Sequence, residues 1–178
     1  HKIGGPRGIG LLYARQGAPF ESLVTGGKQE RVRRAGTENV TLAVGFAKAL
    51  EWYLGNQDRL QKQNIHFREK VLDRISNIDG FFQNTNLDHS LHHTLNFGFS
   101  GISAETLLIS LDLDGVAVST GSACSSGAME ESHVLLAMGR SRAEAKSSLR
   151  VSWGWSTKAD EIDYFLEKLT HHIHRLRH

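Results

Sequence analysis

Ile162, Phe165, Leu166, Leu169, Ile173 and Leu176 recur at helical spacing near the end of the chain. A stripe of that period is satisfied only as the buried face of a helix lying on a second apolar surface. The rest of the chain must supply that surface. Residues 94–99, 116–119 and 149–153 read as short strands, separated by helical stretches at 104–111 and 132–138. Thr157 and Asp160 resemble a capping box ahead of the closing helix. The pattern predicts helices packed on one antiparallel-rich sheet. Further upstream, Val40, Ala43, Val44, Ala47 and Leu50 predict a helix stopped by Gly55-Asn56. A second helix over about 57–78 carries Leu60, Phe67, Val71, Leu72, Ile75 and Ile78 and is ended by Asp79-Gly80. Residues 8–14 read as an interior strand, and the glycine-punctuated stretch 26–37 as an ordered loop.

Composition narrows the function classes. The chain has 178 residues, 22% charged, with a formal net charge of +2. A charge so near balance leaves no footprint for nucleic acid, and basic side chains cluster only at Arg31, Arg33 and Arg34. No apolar run approaches the roughly 20 residues that span a bilayer, so no membrane partner is expected. One cysteine, Cys124, can make neither an intrachain disulfide nor a cysteine-only zinc site. That suits a reducing compartment, and the cytoplasm is the expected location. The chain opens at His1-Lys2 without methionine and soon enters the expected interior strand. Part of the polypeptide is therefore expected to precede residue 1 or to form a separate piece.

Cys124 lies in VSTGSACSSG (residues 118–127), small and hydroxylated side chains that pack poorly. A reactive thiol needs exposure and a route to thiolate, which a loop leaving strand 116–119 would provide. A loop cysteine with no role has the same composition. The weak burial predicts that residues 122–128 are among the most mobile of the chain. Lys2 is an amine able to hold an aldehyde as a Schiff base, and Arg150 is a planar fork able to take a carboxylate. Taken singly, each has an ordinary explanation, because lysines are mostly solvated and strand arginines mostly pair with surface acids. The histidines do not read as a metal site. His171, His172, His174 and His178 fall in what reads as a solvated tail, and His92-His93 has no carboxylate or thiol at ligand spacing.

Four segments, in order, say more than any one residue. They are HKIGGPRGIGLLY (1–13), GGKQERVRRAGTENV (26–40), VSTGSACSSG followed by ESHV (118–127 and 131–134), and SSLRVS (147–152). They resemble the HK-x-x-GPKGIG-x-LY, GGGQERG-x-RSGTEN, active-cysteine and SSLR-[IVF]-S motifs of cysteine desulfurases of the NifS/IscS type. These enzymes are members of the class V aminotransferase family. The resemblance implies an α/β fold, the C-terminal part of a fold-type I transferase dependent on pyridoxal 5'-phosphate (PLP). Residues 1–56 would be the end of the large domain, and 57–178 a small α+β domain carrying the cysteine loop. The implied reaction removes sulfur from L-cysteine, leaving L-alanine and a persulfide on Cys124. Lys2 would form the Schiff base with PLP and act as base at the substrate α-carbon, and His1 would lie by the phosphate. Thr37 would reach the phosphate of the neighbouring subunit of a homodimer, and Arg150 would bind the substrate carboxylate. An iron–sulfur scaffold or another sulfur acceptor is the implied protein partner.

Lys28 and Val32 stand where the family commonly has glycine, and Trp153-Gly-Trp155 replaces a less aromatic run. The family's aspartate at the pyridine nitrogen and its stacking histidine would lie upstream. These 178 residues alone are therefore expected not to complete the cofactor site. Alternatives are a related selenocysteine or cysteine lyase and a noncatalytic fragment that docks sulfur acceptors.

Overall fold

The computed structural model describes residues 2–121 and 131–177, and its chain divides into two compact units, His1–Gln57 and Asp58–His178. In the first unit, α1 (Gln29–Val32) is a left-handed turn with Glu30, Arg31 and Val32 all at positive φ. The helix α2 (Val40–Gly55) follows, with Asn39 Oδ1 accepting a hydrogen bond from Leu42 N. That helix buries none of its residues, and Ala35 is the one buried apolar side chain of the unit among the described residues. Residues 8–14 do not form the expected strand, and Leu11, Leu12 and Tyr13 are exposed. A strand is completed by the ladder of a neighbour, and no described residue pairs with this segment.

The second unit contains the extended core. Its elements are α3 (Gln57–Ile75), β1 (Phe81–Gln83), β2 (Thr94–Phe99), α4 (Ala104–Leu113), β3 (Ser119–Thr120), α5 (His133–Ala137), α6 (Arg142–Lys146), β4 (Ser148–Ser152) and α7 (Ala159–Arg177). The sheet runs β1-β2-β4-β3, with every neighbouring pair antiparallel. Alternation separates its two faces. Leu95, Phe97 and Phe99 of β2 and Leu149 and Val151 of β4 enter one core with Val71 and Ile75 of α3, Leu107 and Leu111 of α4, and the α7 stripe. Burying a side chain of this size stabilises by roughly 1.5–3 kcal/mol, so the stripe on α7 is held by the sheet and not by helix propensity alone. The opposite face carries Thr94, Asn96, Gly98, Ser148, Arg150 and Ser152. Gly98 is required there, because an added Cβ would run into the Ser147 carbonyl and the Phe82 ring.

Three local expectations shift. The third strand begins at Ser119 instead of Val116, because the backbone from α4 first turns through a Schellman cap. Val116 N donates to Leu111 O, Gly115 N donates to Asp112 O, and Gly115 sits at φ +78. At α7 the side chain that reaches back falls one residue later than Asp160, and only one arm of a cap forms. Glu161 reaches back to accept from Lys158 N at 2.8 Å, while Thr157 Oγ1 accepts from Gly154 N. A capping box does form, at Ser141 and Glu144 ahead of α6. Of the terminal histidines only His172 departs from a solvated tail: α7 continues to Arg177 and buries His172 and Ile173, while His171 and His174 are exposed and His178 lies outside the described residues.

Candidate active site

Arg150 occupies the middle of β4, directly opposite Asn96 of β2 on one side and Ser119 of β3 on the other. The backbone of a strand paired on both edges is the least free part of such a fold, so the position of its Cα is well determined. Its side chain is exposed on the polar face, and Nη2 donates to Ser119 Oγ at 3.2 Å. Beside it, Asn84 is buried and ties three strands together. Its Nδ2 donates to Asn96 Oδ1 at 2.7 Å and to Ser148 Oγ at 2.9 Å, and Ser148 Oγ donates to Glu144 O at 2.7 Å. Asn96 is thereby turned toward Asn84 and not toward Arg150.

Cys124 lies outside the described residues, and so do the mobility expected for 122–128 and the phosphate role of His1. Both flanks of the cysteine segment are described. Gly121 immediately follows β3, and a Cβ placed on it would stand 3.1 Å from Ser132 N, so the two flanks meet. Ser132 caps α5 by accepting from Leu135 N, and Glu131 pairs with Lys146 of α6 at 3.4 Å. The Glu131 carboxyl is held below its ordinary range, first by its own backbone N–H and then by Lys146. The structure therefore brings the start of the cysteine segment and Arg150 onto neighbouring strands.

A second polar cluster holds the turn that leads into β3. His172 Nε2 and Asp114 Oδ2 lie 2.7 Å apart, Lys168 Nζ approaches Asp114 Oδ1 at 3.9 Å, and Tyr164 OH donates to Asp114 O at 3.0 Å. The hydrogen bond to His172, more than the Lys168 charge, holds the Asp114 carboxyl below the usual carboxylate range, against the effect of burial. The cluster joins α7 to the C-terminal cap of α4.

Lys2 and Thr37 both lie in the first unit and are exposed. No hydrogen bond or ion pair engages the Lys2 amine among the described residues, so it is available to an aldehyde. Thr37 follows Gly36, at φ +108, and precedes the Asn39 cap of α2, where a hydroxyl and helix amides suit a phosphate. These residues fit a phosphorylated aldehyde cofactor chemically. Ser119 and Asn96, which frame Arg150, were not legible as site residues; the only signal for Ser119 was its place in the VST run before Cys124.

A sheet-borne arginine fork beside the flanks of a cysteine segment marks a candidate amino-acid site in the second unit, and the first unit, taken by itself, carries an available lysine of the kind PLP enzymes use. The chain belongs to the class-V aminotransferase family, whose model matches residues 1–165 and whose members are in general PLP enzymes. It is 40% identical over 181 residues to the cysteine desulfurase IscS of Dictyoglomus turgidum, covering 99% of this chain and 45% of that protein. It is 42% identical over 164 residues to the putative cysteine desulfurase IscS 1 of Bacillus subtilis, covering 91% and 43%. A solved NifS-like protein is similar with a TM-score of 0.86 and 36% identity, over 97% of this chain and 44% of that one. The chain thus spans less than half the length of the relatives it matches.

Proposed function

We propose that this chain is part of a PLP-dependent cysteine desulfurase, corresponding to the C-terminal portion of the fold. In this reading residues 1–56 end the large domain and 57–178 form the small domain. The order of the four motifs along the chain supports that placement. The observation that carries the function is Arg150, an open guanidinium fixed on β4 beside the strand from which the Cys124 segment departs.

Arg150 binds the carboxylate of L-cysteine through parallel N–H donors, which a lysine cannot reproduce. Lys2 holds the cofactor aldehyde through its amine and moves the proton at the substrate α-carbon, and His1 and Thr37 contact the phosphate. When bound, PLP supplies an electron sink for chemistry at the substrate carbon. Cys124, as thiolate, takes the substrate sulfur: an S–S bond forms, the Cβ–S bond breaks, and the carbon gains a proton to leave L-alanine. The persulfide on Cys124 is then delivered to an iron–sulfur scaffold or another sulfur acceptor. We place the enzyme in the cytoplasm, in keeping with a 178-residue sequence whose one cysteine can form no intrachain disulfide. No helix among the described residues is long and apolar enough to cross a membrane. The functional species in this reading is a homodimer, with residues 26–37 near the twofold interface and Thr37 serving the neighbouring site. The exposed apolar side chains of the first unit support an assembled form.

The test is to mix the complete protein with L-cysteine and assay alanine and protein persulfide together. Equal yields of the two are expected. Lys2→Ala should remove the visible absorbance of bound cofactor, and Cys124→Ser should abolish persulfide. Retention of that absorbance in Lys2→Ala refutes the lysine assignment.

A further inference from the structure

We propose that Ser119 is a positioning residue that leaves Arg150 a single edge on which to bind a carboxylate. The proposal rests on the reading of Arg150 as the residue that binds the substrate carboxylate. Ser119 is the cross-strand partner of Arg150 in the β3–β4 ladder, so the backbone sets their proximity. Arg150 Nη2 donates to Ser119 Oγ at 3.2 Å, and the Ser119 hydroxyl donates to the Thr120 carbonyl at 3.2 Å. With its proton engaged by that carbonyl, Ser119 meets the guanidinium as an acceptor.

A guanidinium offers a carboxylate two edges with paired donors, one formed by Nε and Nη2 and the other by Nη1 and Nη2. Both edges need Nη2, each through a different hydrogen. Ser119 engages one of those hydrogens, so only one edge remains whole. A carboxylate seated bidentately on it has its plane and direction set. Asn96, the neighbour across the other ladder, is engaged by Asn84 Nδ2 and does not compete. Among the described residues, Ser119 is the one side chain recorded as anchoring this exposed arginine. Without it both edges are open to a carboxylate and the side chain can swing.

The experiment compares Ser119→Ala, Ser119→Thr and Arg150→Lys in the complete, cofactor-loaded protein. Ser119→Ala should raise KM for L-cysteine about ten-fold, the order expected for losing one hydrogen bond to a charged group, with kcat nearly unchanged. Ser119→Thr, which keeps the hydroxyl, should restore KM. Independently of turnover, the Arg150 Nη nitrogens should give separate NMR resonances in the wild type and merged ones in Ser119→Ala. If Ser119→Ala does not fold, Ser119→Val against Ser119→Thr makes the same comparison at nearly equal shape. A normal KM in Ser119→Ala beside a raised KM in Arg150→Lys overturns the positioning role and leaves the function intact. A normal KM in both variants removes Arg150 itself from the substrate site. A fall in kcat alone, or unchanged Nη resonances, also overturns the proposal.

Discussion

Replacing Asn84 by alanine tests whether the polar face of the sheet is a structural unit beneath the site. Asn84 is 6% exposed, and its Nδ2 bridges Asn96 and Ser148, so two hydrogen bonds are lost. Each contributes about 1 kcal/mol net. The Ser148 hydroxyl, itself buried, keeps its bond to the Glu144 carbonyl, and Asn96 is near enough to solvent for water to reach it. Asn84 Oδ1 has no recorded partner, so its removal returns a little of the loss. The balance is a destabilisation of about 2 kcal/mol. Urea unfolding followed by tryptophan fluorescence should show a lower midpoint at unchanged slope. Ser148→Ala combined with Asn84→Ala should be less damaging than the sum by at least about 0.5 kcal/mol, since both remove the same bond. A loss under about 0.5 kcal/mol for Asn84→Ala, or strict additivity, would refute the idea that these residues act as one network.

Val32→Gly should stabilise the first unit by about 1 kcal/mol, because Val32 is exposed yet held at φ +65, where a β-branched side chain is strained. Slower proteolytic cleavage around residues 28–34 would report it, and faster cleavage would contradict it. Leu149→Ala should cost about 3 kcal/mol or more, because the side chain is fully buried between Phe97 and Thr120; a urea midpoint close to wild type would show that the core collapses onto the gap. Acid should weaken the contact between α7 and the α4 cap. The folded pKa of Asp114 lies below its unfolded value, so its contribution is complete above the ordinary carboxylate range near about 4 and is lost as pH falls through the folded value. Asp114→Asn should remove that acid-dependent part of the urea midpoint, and an unaltered pH profile would disprove the assignment.

The longer helices and the family motifs were legible in the sequence because they are written in short-range patterns, whereas the short helices α1 and α6 were not. The α7 stripe, the apolar series of α2 and α3, the strand 94–99 and the run around Cys124 need only a window of neighbouring residues. Lys2, Thr37, Cys124 and Arg150 stand out as candidates because each lies inside such a local segment. What the sequence could not supply was anything that depends on pairing between distant segments. Residues 8–14 have the composition of a strand and remain unpaired among the described residues, because composition does not provide a ladder partner. His172 looked like part of a solvated tail until Asp114, 58 residues away, was placed against it. Ser119 and Arg150 are 31 residues apart, and only the antiparallel register of β3 and β4 puts hydroxyl and guanidinium on one face. The physical reason is common to all three: helix periodicity is set by bonds four residues apart, whereas ladder register and buried polar partners are chosen by the packing of the whole unit.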